Sequence, residues 1–149
     1  MLSACDTVGS DGPPSIATVD ASLALEVDTA DNLASFQAAW DTAGPEDYWL
    51  RYEVICFCAP QVVDVRVEGG QVLEAWQNGE PVLDHPISLV VLTVNSLYTI
   101  AANGFLEADA VTVRVLEADA PLPVSVFLDY AFEIADEEIG YRILGFETD

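Results

Sequence analysis

Successive runs of this chain alternate apolar and polar residues at every second position, and that period settles the fold class. Tyr48, Leu50, Tyr52, Val54, Cys56 and Cys58 share one face of a run whose other face carries Trp49, Arg51, Glu53, Ile55 and Phe57. A period of two is the signature of a strand with one face on a core. Val63, Val65 and Val67 alternate with Asp64, Arg66 and Glu68, and Gly69-Gly70 then turns the chain into Gln71 to Trp76, a hairpin signal. Asn78-Gly79 marks another turn. Val111, Val113 and Val115 form a fourth such run, Val124, Val126, Leu128 and Tyr130 a fifth, and Gly140 to Phe146 a shorter last strand.

Two segments follow the helical period instead. Leu33, Phe36 and Trp40 predict a helix over Asp31 to Thr42, with Thr29 or Asp31 as its cap and Gly44-Pro45 as its stop. Val94, Leu97, Tyr98 and Ala101 predict a second over Thr93 to Ala102, ended by Asn103-Gly104. The order α-β-β-β-α-β-β-β predicts an α+β fold, an antiparallel β-sheet with two helices packed on one face.

Charge narrows the partners. Among 149 residues, 26 are Asp or Glu against four Arg and one His, a formal charge of −22, while 52% are hydrophobic. That apolar fraction supports one folded domain rather than disorder. A surface of this sign repels phosphates, so nucleic-acid binding and adsorption to anionic head groups are excluded. The acids recur along the whole chain, as on a folded surface suited to salt-rich surroundings.

Leu2-Ser3-Ala4-Cys5 has the form of a lipobox, whose Cys is acylated and becomes the mature N-terminus. Asp6 to Ser15 has a tether composition of Ser, Thr, Gly, Pro and Asp. The chain thus divides into a remnant of a lipoprotein signal (1–5), a flexible tether and lead-in (6–28), and a single α+β domain (29–149). Only Met1 precedes Leu2, so the expected start lies upstream of Met1. Lipid on Cys5 places the domain in a bacterial cell envelope, facing periplasm or exterior, with membrane contact through that lipid. No apolar stretch approaches the ~20 residues of a spanning helix.

Several spaced features coincide: Trp40 ahead of Gly44-Pro45-Glu46-Asp47-Tyr48; Tyr52 before Cys56-Phe57-Cys58-Ala59-Pro60; Val65 to Val72; Asn78-Gly79-Glu80-Pro81-Val82; Thr93-Val94 followed by Leu97 to Ile100; Pro123 and Asp129; and Asp136-Glu137-Glu138-Ile139-Gly140-Tyr141. From about Leu33 to Phe146 the chain resembles the bacterial domain-of-unknown-function family numbered 6174, found on predicted lipoproteins and secreted proteins. The resemblance implies fold and location and brings no activity. Leu116-Glu117 stands where such sequences carry a Tyr-Asp pair, and Pro121-Leu122-Pro123 where they carry Gly-Tyr-Pro. A binding site shared through those residues would be missing here.

Cys56 and Cys58 carry the strongest chemical signal. In an exported protein two nearby Cys oxidise together, yet residues i and i+2 of a flat strand stand ~6.6 Å apart, so a disulfide needs a kink such as Ala59-Pro60 could supply. Structural disulfide or core thiols, redox exchange and metal ligation stay open for this pair. His85 reads as a loop imidazole. Asp136, Glu137 and Glu138, with Glu133 and Asp129, could offer oxygens to calcium, but the EF-hand pattern is missing and a solvated turn accounts for them. Nucleophile elbow, phosphate loop, dinucleotide fingerprint and HExxH helix are all missing from the sequence. The expectation is a non-enzymatic, cofactor-free, lipid-anchored envelope module that binds or scaffolds an unknown envelope protein. The alternative is a thiol–disulfide redox protein using Cys56 and Cys58. Trp49, Ile55, Phe57 and Trp76, on the second sheet face, read either as partner contacts or as a second layer of core.

Overall fold

The alternation of the sequence becomes alternation of burial. In the computed structural model, which describes residues 12–56, 59, 61–82, 92–130 and 138–148, strand β2 (Tyr48–Ile55) buries Tyr48, Leu50, Tyr52 and Val54 and half-buries each residue between them. Strand β3 (Gln61–Glu68) adds Val63, Val65 and Val67 to the same face, paired with Tyr52, Leu50 and Tyr48. Gly69 and Gly70, both with positive φ, form the two-residue turn into β4 (Gln71–Gln77). Asn78 and Gly79, also at positive φ, turn β4 into the two-residue β5 (Glu80–Pro81).

The second meander is β6 (Ala110–Leu116), β7 (Leu122–Asp129) and β8 (Glu138–Thr148). With a short strand β1 (Leu25–Val27) the described strands form one antiparallel sheet, in the order β1-β6-β7-β8-β2-β3-β4-β5. The two meanders thus lie side by side and join where β8 pairs with β2.

Helices α1 (Ala30–Ala43) and α2 (Val94–Glu107) cover one face, as the expected α+β arrangement requires. Thr29 caps α1 by accepting from the Asn32 amide. Gly44 ends it, where a Cβ would lie 2.6 Å from the Trp40 carbonyl oxygen and 2.7 Å from the Trp40 ring. Helix α2 packs on β6 and β7, whereas α1 packs on α2 and β1. The end of α2 departs from the sequence reading: Asn103-Gly104 does not stop it, and the helix continues to Glu107. Gly104 is buried inside the helix because a Cβ there would overlap Leu128 of β7. The glycine permits close approach between helix and sheet.

The start of α2 is fixed by tyrosines of β2. The first amides of any helix lack partners within it. Here Val94 N–H donates to the Tyr48 hydroxyl at 3.0 Å, and Leu92 N–H, two residues earlier, donates to that of Tyr52 at 2.9 Å. Thr93 and Ser96 complete a reciprocal capping box. Burial pushes the Tyr48 hydroxyl up to about 12, against the lowering effect of the Val94 bond, and pushes Tyr52 and Tyr98 up as well.

The chain enters along the sheet. Beyond Arg142, where β7 stops pairing with β8, the flank of β8 is taken by residues 17–19. Val19 N–H donates to the Leu144 carbonyl at 3.0 Å, and Phe146 N–H donates to that of Ala17 at 2.9 Å. A short 3-10 turn (Ala21–Leu23) then leads into β1.

Candidate functional site

The helix-free face of the sheet carries all four arginines of the chain, since register places Arg51, Arg66, Arg114 and Arg142 on the side opposite the buried valines and tyrosines. Arg51 Nε donates to Asp64 Oδ1 at 2.6 Å. Burial holds the Asp64 carboxyl above its ordinary value, and the adjacent guanidinium offsets only part of that rise. Arg142 pairs with Glu53 at 2.8 Å and Arg66 with Glu68 at 3.2 Å. The Arg66 guanidinium also lies 5.5 Å from the ring centre of Trp49, which stacks on Trp76 with centroids 5.6 Å apart. Trp76 is 7% exposed, and Trp49 and Ile55 are half-buried. Trp76 is therefore packed, while Trp49 and Ile55 keep part of their surface open; Phe57 lies outside the described residues.

An open cleft of about 290 Å³ lies instead at the other edge of the helical layer. The last turn of α1 gives it Trp40 and Asp41, the following corner Gly44, Pro45 and Glu46, β2 Tyr48, the β3–β4 turn Gly69 and Gly70, and the first turn of α2 Asn95. Its walls are fixed by hydrogen bonds between these pieces. Trp40 Nε1 donates to Asn95 Oδ1 at 3.1 Å, and Asn95 Nδ2 donates to Asp41 Oδ1 at 3.1 Å. Gly69 N–H donates to Asp47 Oδ1 at 2.9 Å and Gly70 N–H to the Glu46 carbonyl at 3.0 Å. Behind it, the Trp40 ring meets Tyr48 and Phe146 edge-on, with centroids 5.9 and 6.0 Å apart.

The cleft is rich in acceptors. Asp41, Glu46 and Asn95 are exposed at its rim, and none of its lining residues is cationic. The glycine amides that face it are already bonded to the chain. An occupant would therefore supply N–H or O–H donors, and a positive charge fits best.

Sequence reasoning had not selected Asp41, Glu46 or Asn95. The available signal was the run from Trp40 through Gly44-Pro45-Glu46-Asp47-Tyr48 together with Gly69-Gly70, which the fold brings to one place. The other candidates fall elsewhere. Cys56 follows β2 directly and is half-buried against the core. Cys5 and Cys58 lie outside the described residues, so the expected lipidation and the Cys56–Cys58 pairing do too. Asp136, Glu137, Glu133 and His85 also lie outside them. Glu138 opens β8 opposite Asp129, and among the described residues no three His, Cys, Asp or Glu converge to hold a metal. Leu116 and Leu122 pair at the β6–β7 connection, where Tyr98 Oη donates to the Pro121 carbonyl at 2.6 Å. The positions that differ from the family pattern therefore lie outside the cleft lining. Gly140 has a physical cause, because a Cβ there would overlap the Phe127 ring.

An antiparallel sheet with two helices on one face and an open, acceptor-rich cleft at their margin defines an α+β domain. The chain belongs to the Family of unknown function (DUF6174), whose model matches residues 32–148. No curated protein and no solved structure matches the chain.

Proposed function

We propose that this protein is a non-enzymatic binding module of the bacterial cell envelope, held to the membrane by lipid on Cys5, whose cleft receives a basic segment of an envelope partner. One observation carries the binding role. The turns and helix ends around Trp40 are locked together by their own hydrogen bonds and leave an opening rimmed by Asp41 and Glu46. Such preformed, concave sites are where ligands bind. The −22 charge supports a basic partner, because it raises the local concentration of cations and speeds their encounter. The lipobox at Leu2-Ser3-Ala4-Cys5 supports the location.

A photo-crosslinking residue at position 46, in cells making the full-length protein from its native start, tests both parts. A discrete crosslinked partner from position 46, missing from a control at the exposed Glu107, supports the cleft. Equal labelling from both positions contradicts it. Cys5→Ala should move the protein out of the membrane fraction, and unchanged partition would refute the lipid anchor. The second reading is thiol–disulfide exchange through Cys56 and Cys58, and the half-buried place of Cys56 at the end of β2 supports it. It requires a bond between the two to open in mild reductant while the fold stays intact.

A further inference from the structure

The segment that enters along β8 is held by its backbone. From 12 to 24 only Ile16 is buried, and every other residue is exposed or half-buried. Two arginines of the helix-free face grip carbonyls of this segment: Arg51 Nη2 donates to Pro14 O at 3.4 Å, and Arg114 Nη2 donates to Ala24 O at 3.2 Å and Ala21 O at 3.4 Å. Thr18 bridges Gly145, and Ala17 N–H donates to Glu147 Oε1 at 3.0 Å. Gly145 shapes the seat, since a Cβ there would come within 3.1 Å of both the Ile16 side chain and the Ala17 carbonyl.

Such contacts read a strand's main chain and one side chain, which is how an added strand is recognised at a sheet edge. They are also weak, because one buried isoleucine and a few exposed hydrogen bonds set a low cost for local opening. Opening leaves Leu144 O and Phe146 N–H without their strand partner, an edge ready to pair again. From these observations we infer that the β8 flank around Gly145 is a strand-receiving site. The chain's own residues 16–19 fill it here, and an extended segment of a partner protein, with Ile or Val facing Gly145 between small residues, fills it in exchange. Charge argues against a second copy as the occupant, since two chains of −22 repel one another. Residues 16–19 carry no charge, the one charged residue between Gly12 and Ala24 being Asp20, so the partner segment is likewise uncharged.

The test uses the full chain and a fluorescent peptide with the sequence of residues 12–24. Peptide binding to the wild type is weak because the site is occupied. Ile16→Asp loosens the occupant and should tighten binding about tenfold or more, as expected from losing one buried aliphatic side chain. Hydrogen exchange at Val19 and Phe146 should quicken in step, with the core amides unchanged. Adding Gly145→Val fills the seat and should abolish peptide binding. Unchanged exchange in Ile16→Asp, released amides without tighter binding, or binding that survives Gly145→Val would each overturn the inference. Self-association of the wild type that the peptide disperses would assign the site to a second copy and overturn the partner segment.

Discussion

Replacing Tyr48 with Phe removes one oxygen and keeps the ring that packs on Trp40 and Phe146. What is lost is the acceptor for the Val94 amide, an unpartnered first-turn donor of α2 that cannot reach water because Val94 is fully buried. A buried amide left without a partner costs about 1–3 kcal/mol. Tyr48 is 2% exposed and its bond has ordinary geometry at 3.0 Å, so the middle of that range applies, about 2 kcal/mol. For a chain of this length that lowers the melting temperature by roughly 4–8 °C. Calorimetry measures the shift, and hydrogen exchange at Val94 should accelerate more than at Ala101 in the middle of the helix. Tyr52→Phe should cost less, since its donor Leu92 is only half-buried. Tyr130→Phe, on an exposed ring, should cost nothing measurable. A Tyr48→Phe protein within about 0.5 kcal/mol of wild type would refute the claim that β2 hydroxyls hold the start of α2.

Raising the pH probes the same hydroxyls. Tyr48 is held up to about 12 in the fold against about 10 unfolded, so its contribution is whole below pH 10 and fades as pH climbs through about 12. Tyr48 alone then removes about 3 kcal/mol, and tyrosinate absorbance should rise together with unfolding; titration of every tyrosine in an intact fold would contradict this. Gly104→Ala gains helix propensity yet drives a methyl into Leu128, and a net loss of about 1–3 kcal/mol is expected by urea denaturation. Because 26 acids face four arginines, lowering salt should lower the melting temperature. A salt-independent melt would show that self-repulsion does not shape this fold.

The strands were legible because side chains alone report their period. Tyr48 to Val54 buries every second residue, as the sequence demands, and Val63 to Val67 keeps its valines on the core face, although Asp64 and Arg66 on the opposite face are buried as well. The end of α2 was not, since Asn103-Gly104 is a local stop signal and the need for a bare Cα against Leu128 exists only in the tertiary structure. Strand β1 and residues 17–19 join the sheet mainly by backbone bonds, with only Val27 and Ile16 buried at their ends, so no clear side-chain pattern marks them. The alternation places Tyr48 and Tyr52 on the core face but says nothing of the amides their hydroxyls receive. The cleft was hidden for a related reason. Asp41, Glu46, Gly69 and Asn95 sit at the ends of different elements, and only the pairing of β2 with β3 and the docking of α2 bring them together.

The cleft itself is tested most directly by amide NMR of the full chain titrated with a short end-blocked peptide carrying a single lysine. At about 0.15 M salt, diffuse attraction is screened beyond roughly 8 Å, so a seated lysine stands out from general counterion binding. Saturable shifts confined to the Gly69 and Gly70 amides and the Trp40 indole N–H, abolished by Asp41→Asn with Glu46→Gln, are the predicted result. Shifts spread over the acidic surface, or unchanged by those two substitutions, would contradict the cleft as the binding site.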